Sequence, residues 1–234
     1  KTVIRKELGA CVAPIYINTN CKICKPQNIS QNLVPWIEMQ RILGVEAITM
    51  YNTSMTQNTS RILHYYQKTG FVTVIRHSLI PGYSNRLPNA MAINDCLYRN
   101  MYLYKKIMVI DLDEYIIPYK FALTLPFFLY QIAEREKVNY TDANFYFANV
   151  LFYKDFPLSD PSQDITALRH RFRMPPQPFP GGAKSIIDPL LCKHAHLHLC
   201  YYHGPRSMTI RVKPEEGALH HYNICKHDWW KTSN

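Results

Sequence analysis

No stretch of this 234-residue chain reaches the ~18 uninterrupted apolar residues that cross a bilayer. It opens at Lys1 without a secretory leader, which suits a piece of a longer precursor. Acidic residues are scarce, 17 against 27 basic ones, and the net charge of +10 favours anionic partners. Yet no run of five basic residues occurs, and no nucleic-acid-binding motif is present. Nucleic acid is therefore set aside as a partner, and nucleotide phosphates or lipid headgroups remain as anionic partners beside plain solubility. No internal repeat appears, which excludes a solenoid or propeller.

What is there suits one domain with a sizeable core, since 47% of the residues are hydrophobic. Tyrosine (17) and proline (16) are plentiful, a composition met in domains that handle sugars or extended polymers. Seven cysteines cannot all pair within the chain. Four N-x-S/T acceptor sequences, at Asn28, Asn52, Asn58 and Asn139, combine with them to suggest a secretory-pathway protein with disulfides.

The first half alternates strand and helix. Residues 11–17 ("CVAPIYI") read as a strand. A helix follows, capped by Asn32, with Leu33, Trp36, Ile37 and Leu43 on one stripe and Gly44 at its end. Residues 45–52 and 71–77 are strands around a helix that Gly70 stops. After a loop at 78–87, Pro88 begins a helix, and 105–113 ("KKIMVIDLD") is the fourth strand. Strands joined by helices imply parallel pairing, and the unbroken "IMVI" fits a strand buried on both faces. The second half is less regular. Residues 124–136 read as a helix and 143–153 ("ANFYFANVLFY") as one long strand. Residues 153–183 read as a Pro-, Asp- and Gly-rich loop facing a substrate.

Parallel sheets of this kind bind ligands beyond the carboxyl ends of their strands. Asp111-Leu112-Asp113 lies at that edge. On an extended chain its two carboxylates point the same way, and hard oxygen ligands suit Mg²⁺, Mn²⁺ or Ca²⁺. A metal held by two carboxylates keeps positions free for a substrate diphosphate. A phosphatase of the haloacid dehalogenase type also uses D-x-D, but on its first strand and with a later acidic pair that is missing here.

The blocks "PWIEMQRILGVEAITMYN", "ILHYYQKTGFV", "NAMAINDCLYRN", "IMVIDLDEYIIP", "AKSIIDP" and "LHHYN" run in the order seen in glycosyltransferase family 92, which the chain resembles over residues 10–225. The resemblance implies a single GT-A domain over 1–234: a Rossmann-like, mostly parallel sheet flanked by helices. Residues 10–118 would bind the nucleotide sugar and 119–234 the acceptor. It implies an inverting transferase moving galactose from UDP-galactose onto a glycan with Mn²⁺ or another divalent cation. It further implies a Golgi-luminal or secreted location, with a membrane anchor N-terminal to this chain. Under it, Asp111, Asp113 and His221 form the metal site. Lys184 contacts the diphosphate. Pro14, Tyr16, Tyr51 and Asn52 cradle the uridine, and Asn94, Asp95 and Asp111 lie near the donor. One departure stands out: His221-Tyr222 is followed by Asn223, where the family often has Arg.

The base that takes the acceptor proton is expected in the 153–183 loop, where Asp155, Asp160 and Asp164 are candidates and Asp164 is preferred. A non-catalytic glycan-binding domain on the same scaffold is the competing reading, disfavoured by the intact D-x-D and His221. Trp36 reads as core and Cys96 as a buried thiol. Cys21-x-x-Cys24 suggests a disulfide. "CKHAHLHLC" (192–200) reads as a polar face with disulfides, with zinc as the sharper alternative.

Overall fold

The computed structural model describes residues 4–15, 29–78, 86–119 and 124–224. Strands β1 (Lys6–Val12), β2 (Ala47–Asn52), β3 (Val72–Arg76) and β4 (Tyr104–Ile110) alternate with helices α1 (Ile29–Ile42), α2 (Gln57–Lys68) and α3 (Arg86–Asn100). The Thr56 side chain caps α2 by accepting from Thr59 N at 3.2 Å, and Gly70, at φ +75°, ends it in a conformation that favours glycine. Next come β5 (Glu114–Pro118), α4 (Leu125–Arg135), β6 (Ala143–Phe147), β7 (Asn149–Tyr153), the short α5 (Thr166–Arg169) and β8 (Lys184–Ile187). The hairpin β9 (Cys192–Ala195) and β10 (Cys200–His203) leads to β11 (Met208–Val212) and β12 (Gly217–Asn223).

The central sheet has the order β11-β6-β8-β4-β1-β2-β3. Only β8 runs against its neighbours; every other pairing in this sheet is parallel. A core built from α1, α2 and α4 covers one face, with Trp36, Leu33, Leu63 and Phe128 buried. Ile93, Cys96 and Leu97 of α3 cover the other, beside the β9–β10 hairpin. This is the mixed α/β class expected, a mostly parallel sheet flanked by helices. A second sheet, β5-β12-β7, grows out of the end of β4.

Several local expectations are corrected. The first strand is β1, which begins at Lys6 and ends at Val12; Tyr16 and Ile17 of the expected 11–17 strand lie outside the described residues. Pro14 has no N–H for the ladder, so the strand ends before it; the stretch from Leu8 to Val12 supplies the buried residues instead. Gly9 lets β1 approach β4 closely, since a Cβ there would meet the Tyr104 ring at 2.9 Å. Helix α1 begins at Ile29, so Asn32 lies inside its first turn and accepts from Thr166 Oγ1 at 2.8 Å. Residues 143–153 are two strands: β6, buried along its whole length, stays in the central sheet, and β7 leaves to pair with β12. Cys96 is no free thiol, being joined to Cys11 across α3 and β1, and Cys192 is joined to Cys200. Cys21 and Cys24 lie outside the described residues.

Candidate active site

The order β3-β2-β1-β4 means that the chain leaves β1 on one side and returns as β4 on the other. The crevice opens at the carboxyl ends of these two strands. Val12 pairs with Ile110, so Ala13 and Pro14 after β1 and Asp111 after β4 emerge at the same edge. Ile15 bridges Asn52, and its N–H donates to Tyr51 O at 2.7 Å, which ties the end of β2 to the same rim. Tyr16 lies outside the described residues.

The residues after β4 do not run extended. Glu114 N donates back to Asp111 O at 3.2 Å, so Asp111 to Glu114 is a tight turn between β4 and β5. That corrects the expectation of two parallel carboxylates on a strand. The turn brings two of its three acids, Asp111 and Glu114, onto one cation. Lys184, at the start of β8 and fully buried, lies 2.7 Å from Asp111 Oδ2 and 3.0 Å from Glu114 Oε2. Glu114, also buried, accepts from Asp111 N at 3.0 Å, and its own carbonyl accepts from Trp36 Nε1 at 2.9 Å. Trp36 is thus core, as expected, and also braces the turn.

Burial would lower Lys184, but Glu114 and Asp111 outweigh it and hold the ammonium above its ordinary value. Burial pushes the Glu114 carboxyl up, against the pull of Lys184. The Asp111 and Asp113 side chains remain about a third exposed, at 35% and 36%. The cluster is therefore a dry ion pair with two carboxylates facing the crevice above it.

His221 stands opposite Glu114 on β12. Its Nε2 lies 3.5 Å from Asp113 Oδ2 and its Nδ1 3.7 Å from Glu114 Oε1. Asn223 Nδ2 sits 3.2 Å from His221 Nε2, so the residue that replaces the family's Arg touches the histidine. Burial would raise the Asp113 carboxyl, but His221, with Lys154 nearby, holds it below its ordinary value. Burial would likewise lower His221, and Asp113 and Glu114 overcome this to raise it. His220 points to the opposite face, where its Nε2 meets the Tyr119 hydroxyl at 2.5 Å. Burial, with Arg173 nearby, pushes His220 down to about 4.

Around the rim, Tyr51 donates its hydroxyl to Asp95 Oδ2 at 2.6 Å, and Arg99 Nε meets the same oxygen at 2.6 Å. Burial, then Asp95, raises Tyr51 far above its ordinary value. The Asn94 amide is taken up by backbone: it donates to Ala90 O and Ala195 O and accepts from Ala195 N, pinning the β9–β10 hairpin to α3. Asn52 Oδ1 and His77 Nε2 are buried without a hydrogen-bond partner, on adjacent strand ends joined by His77 N to Asn52 O at 2.8 Å. Orphaned acceptors and donors at a sheet edge fit a polar ring such as a nucleobase.

Asp155 follows directly on Lys154 just past the end of β7, and the charge of Lys154 reaches Asp113. Asp164 is exposed, close to α5, with no hydrogen bond or ion pair among the described residues. Asp160 is engaged by Ser162 and Arg171.

Two residues have surroundings that the sequence does not show. Glu114 was visible only as a third acid in "DLDEY", and nothing local shows that it is buried under the other two. His198 stands in the turn closed by the Cys192–Cys200 disulfide. Its Nδ1 lies 3.1 Å from Ala183 O, the residue before Lys184, close enough for Lys184 and Asp111 to bias its charge. Both hairpin cysteines are used in that disulfide, so they cannot serve as zinc thiolates. Among the described residues no three His, Cys, Asp or Glu side chains converge as a ready metal cage. A cation at Asp113 and His221 must therefore take further ligands from substrate or water.

A model of glycosyltransferase family 92 matches residues 6–234. No curated protein matches the chain. Among solved structures, a crystal structure of S. aureus TarS aligns with 14% identity and a TM-score of 0.37, covering 67% of this chain and 23% of that one. A crystal structure of S. aureus TarS 1–349 aligns with 14% identity and a TM-score of 0.35, covering 67% and 38%. The chain thus spans well under half the length of either. With a family match over nearly its whole length, the chain belongs to glycosyltransferase family 92.

Proposed function

We propose that this chain is a GT-A glycosyltransferase domain that moves galactose from UDP-galactose onto a glycan acceptor, with inversion and with a divalent cation, Mn²⁺ above others. The observation that carries the reading is the pair of carboxylates, Asp111 and Asp113, each about a third exposed at the β1–β4 crevice over the buried Glu114–Lys184 pair. Asp111 and Asp113 offer hard carboxylate oxygens on the crevice side of the cluster, which suits a divalent cation.

Asp113 and His221 would hold the metal, with Asp111 beside them. When bound, it neutralises charge on the departing diphosphate. The chain's own residues do the rest. Pro14, Tyr51 and Asn52 line the uridine, and Asn52 Oδ1 and His77 Nε2 gain the partners they lack. Lys184 braces the Asp111 carboxylate in place. A carboxylate takes the proton of the acceptor hydroxyl as its oxygen bonds to the anomeric carbon, while the bond to the UDP oxygen breaks on the opposite face. Asp164 and Asp155 are the candidates for this role.

The disulfides Cys11–Cys96 and Cys192–Cys200 and the exposed acceptors Asn58 and Asn139 support a secretory-pathway setting, Golgi lumen or secreted. Among the described residues no helix is long and apolar enough to cross a membrane. The test is a screen of UDP-sugars and glycan acceptors with Mn²⁺, alongside Mn²⁺ binding followed by electron paramagnetic resonance in wild type and Asp113→Asn. Loss of both binding and transfer in the variant is expected. Equal Mn²⁺ binding by both proteins would refute the assignment.

A further inference from the structure

The β5-β12-β7 sheet has two working faces. Glu114 and His221 lie on one. Tyr115, paired with His220, lies on the other, with Phe152 and Tyr222 alongside it. On this second face is a cavity of about 480 Å³, within the range of small-ligand sites. Its floor is aromatic: Phe152 stacks on Tyr222 at 4.8 Å, and Tyr115 meets Tyr222 edge-on at 5.7 Å. Tyr119, His220 and Arg173 stand among the walls.

Two features mark it as a binding site rather than a packing gap. Tyr115 and Tyr222 are only 5% and 4% exposed, line the cavity, and make no side-chain hydrogen bond among the described residues. Buried phenols ordinarily find a partner. Arg173 has no ion pair or hydrogen bond among the described residues, although its charge is felt at Tyr119 and His220. Its neighbour Arg171, by contrast, is engaged by Asp160 and Leu168 O.

We propose that this cavity binds a negatively charged pyranose of a glycan, its ring on the aromatic floor and its carboxylate or sulfate on Arg173. That the ligand is a sugar rests on the glycosyltransferase reading; the anionic group rests on Arg173 and on the chain's net charge of +10. Aromatic faces accept the C–H face of a pyranose, the two free phenols supply hydrogen bonds, and a guanidinium fork matches a planar or tetrahedral anion. The site is not the donor site. Side chains that alternate across a strand cannot share a ligand through the sheet, and a packed layer is ~10 Å thick. The occupant is therefore a separate stretch of a long acceptor, or a second glycan.

Methyl glucuronide, glucose 6-sulfate and methyl glucoside, titrated into the unliganded protein by saturation-transfer NMR, test this. The two anions should bind, and the neutral glucoside should bind roughly tenfold more weakly, the worth of one charged hydrogen bond. A preference between the two anions would name the group that Arg173 reads. Arg173→Gln, at an exposed position, should erase the discrimination. Tyr222→Phe should weaken all three sugars. Asp113→Asn should leave binding unchanged, which separates this site from the transfer site even if no donor is ever turned over. Equal binding of charged and neutral sugars, no saturable binding, an inert Arg173→Gln, or loss of binding in Asp113→Asn would each overturn the proposal.

Discussion

Lys184→Met is the sharpest perturbation of this structure. The ammonium is fully buried, within 3.0 Å of both Asp111 and Glu114. Asp111 can turn to water, since a third of its side chain is already exposed; Glu114 cannot. Removing the cation strands a buried carboxylate, and breaking such a pair costs about 3–5 kcal/mol. For a domain of this size that lowers Tm by roughly 6–20 °C. The assay is differential scanning calorimetry on the purified domain. The informative comparison is Lys184→Met with Glu114→Gln added, which removes the stranded charge while keeping an oxygen to accept from Asp111 N. The double variant should regain half of the loss or more. A single variant within about 1 kcal/mol of wild type would refute the buried ion pair. A double variant no more stable than the single would show that Lys184 acts through packing rather than charge.

Three further outcomes are expected. His221→Ala should raise the Mn²⁺ concentration for half-maximal transfer and weaken UDP binding, with His220→Ala doing far less; equal effects in a Mn²⁺ titration would contradict the two-faced strand. Mass spectrometry of protein secreted from a eukaryotic cell should find glycans at exposed Asn58 or Asn139 and none at Asn52, which sits on the crevice rim with a buried side-chain oxygen. Lys106 is fully buried, donating to Ala143 O at 2.6 Å, and burial, with Arg5 nearby, pushes it down to about 8 although Asp188 resists. The unfolded chain therefore binds more protons between pH 8 and about 10.4, and stability should rise with pH across that window, by about 3 kcal/mol in all. Denaturant unfolding of Lys106→Met should lack this rise; an identical pH profile in both proteins would refute the shift.

The sequence was most legible where one element carried its own signals. Helix α2 has a capping threonine, a buried stripe of Leu63 and Tyr66, and a glycine that must take positive φ. Strand β4 announced itself by unbroken apolar residues ending in acids. The reading failed where long-range pairing decided. Residues 143–153 look like one strand because β-branched and aromatic residues continue through Ala148. Only the positions of β8 and β12 force the chain to change sheets there. Similarly, the strand through Pro14 was drawn by apolarity, although the missing N–H of Pro14 bars it from a central ladder. Asp111 and Asp113 were legible as a site by their place after a buried strand. Their dependence on Glu114 was not, because Lys184 reaches that turn from 70 residues further along the chain, through the reversed strand β8.

Strand β12 ties these observations together. It is the one element that pairs with β5, which follows the acidic turn, and with β7, which leads to Asp155. Side chains alternate along it, so His221 meets the carboxylates while His220 and Tyr222 meet the aromatic cavity. A slip of one residue would exchange the two faces and destroy both sites at once. A backbone hydrogen bond beside buried apolar residues holds the register. Ala218 and Leu219 are fully buried, and Leu219 N donates to Ala148 O at 2.9 Å, where β6 ends and β7 begins. The break between β6 and β7 is thus more than a boundary that the sequence conceals. It supplies the carbonyl that sets β12, and through β12 it aims His221 at Asp113.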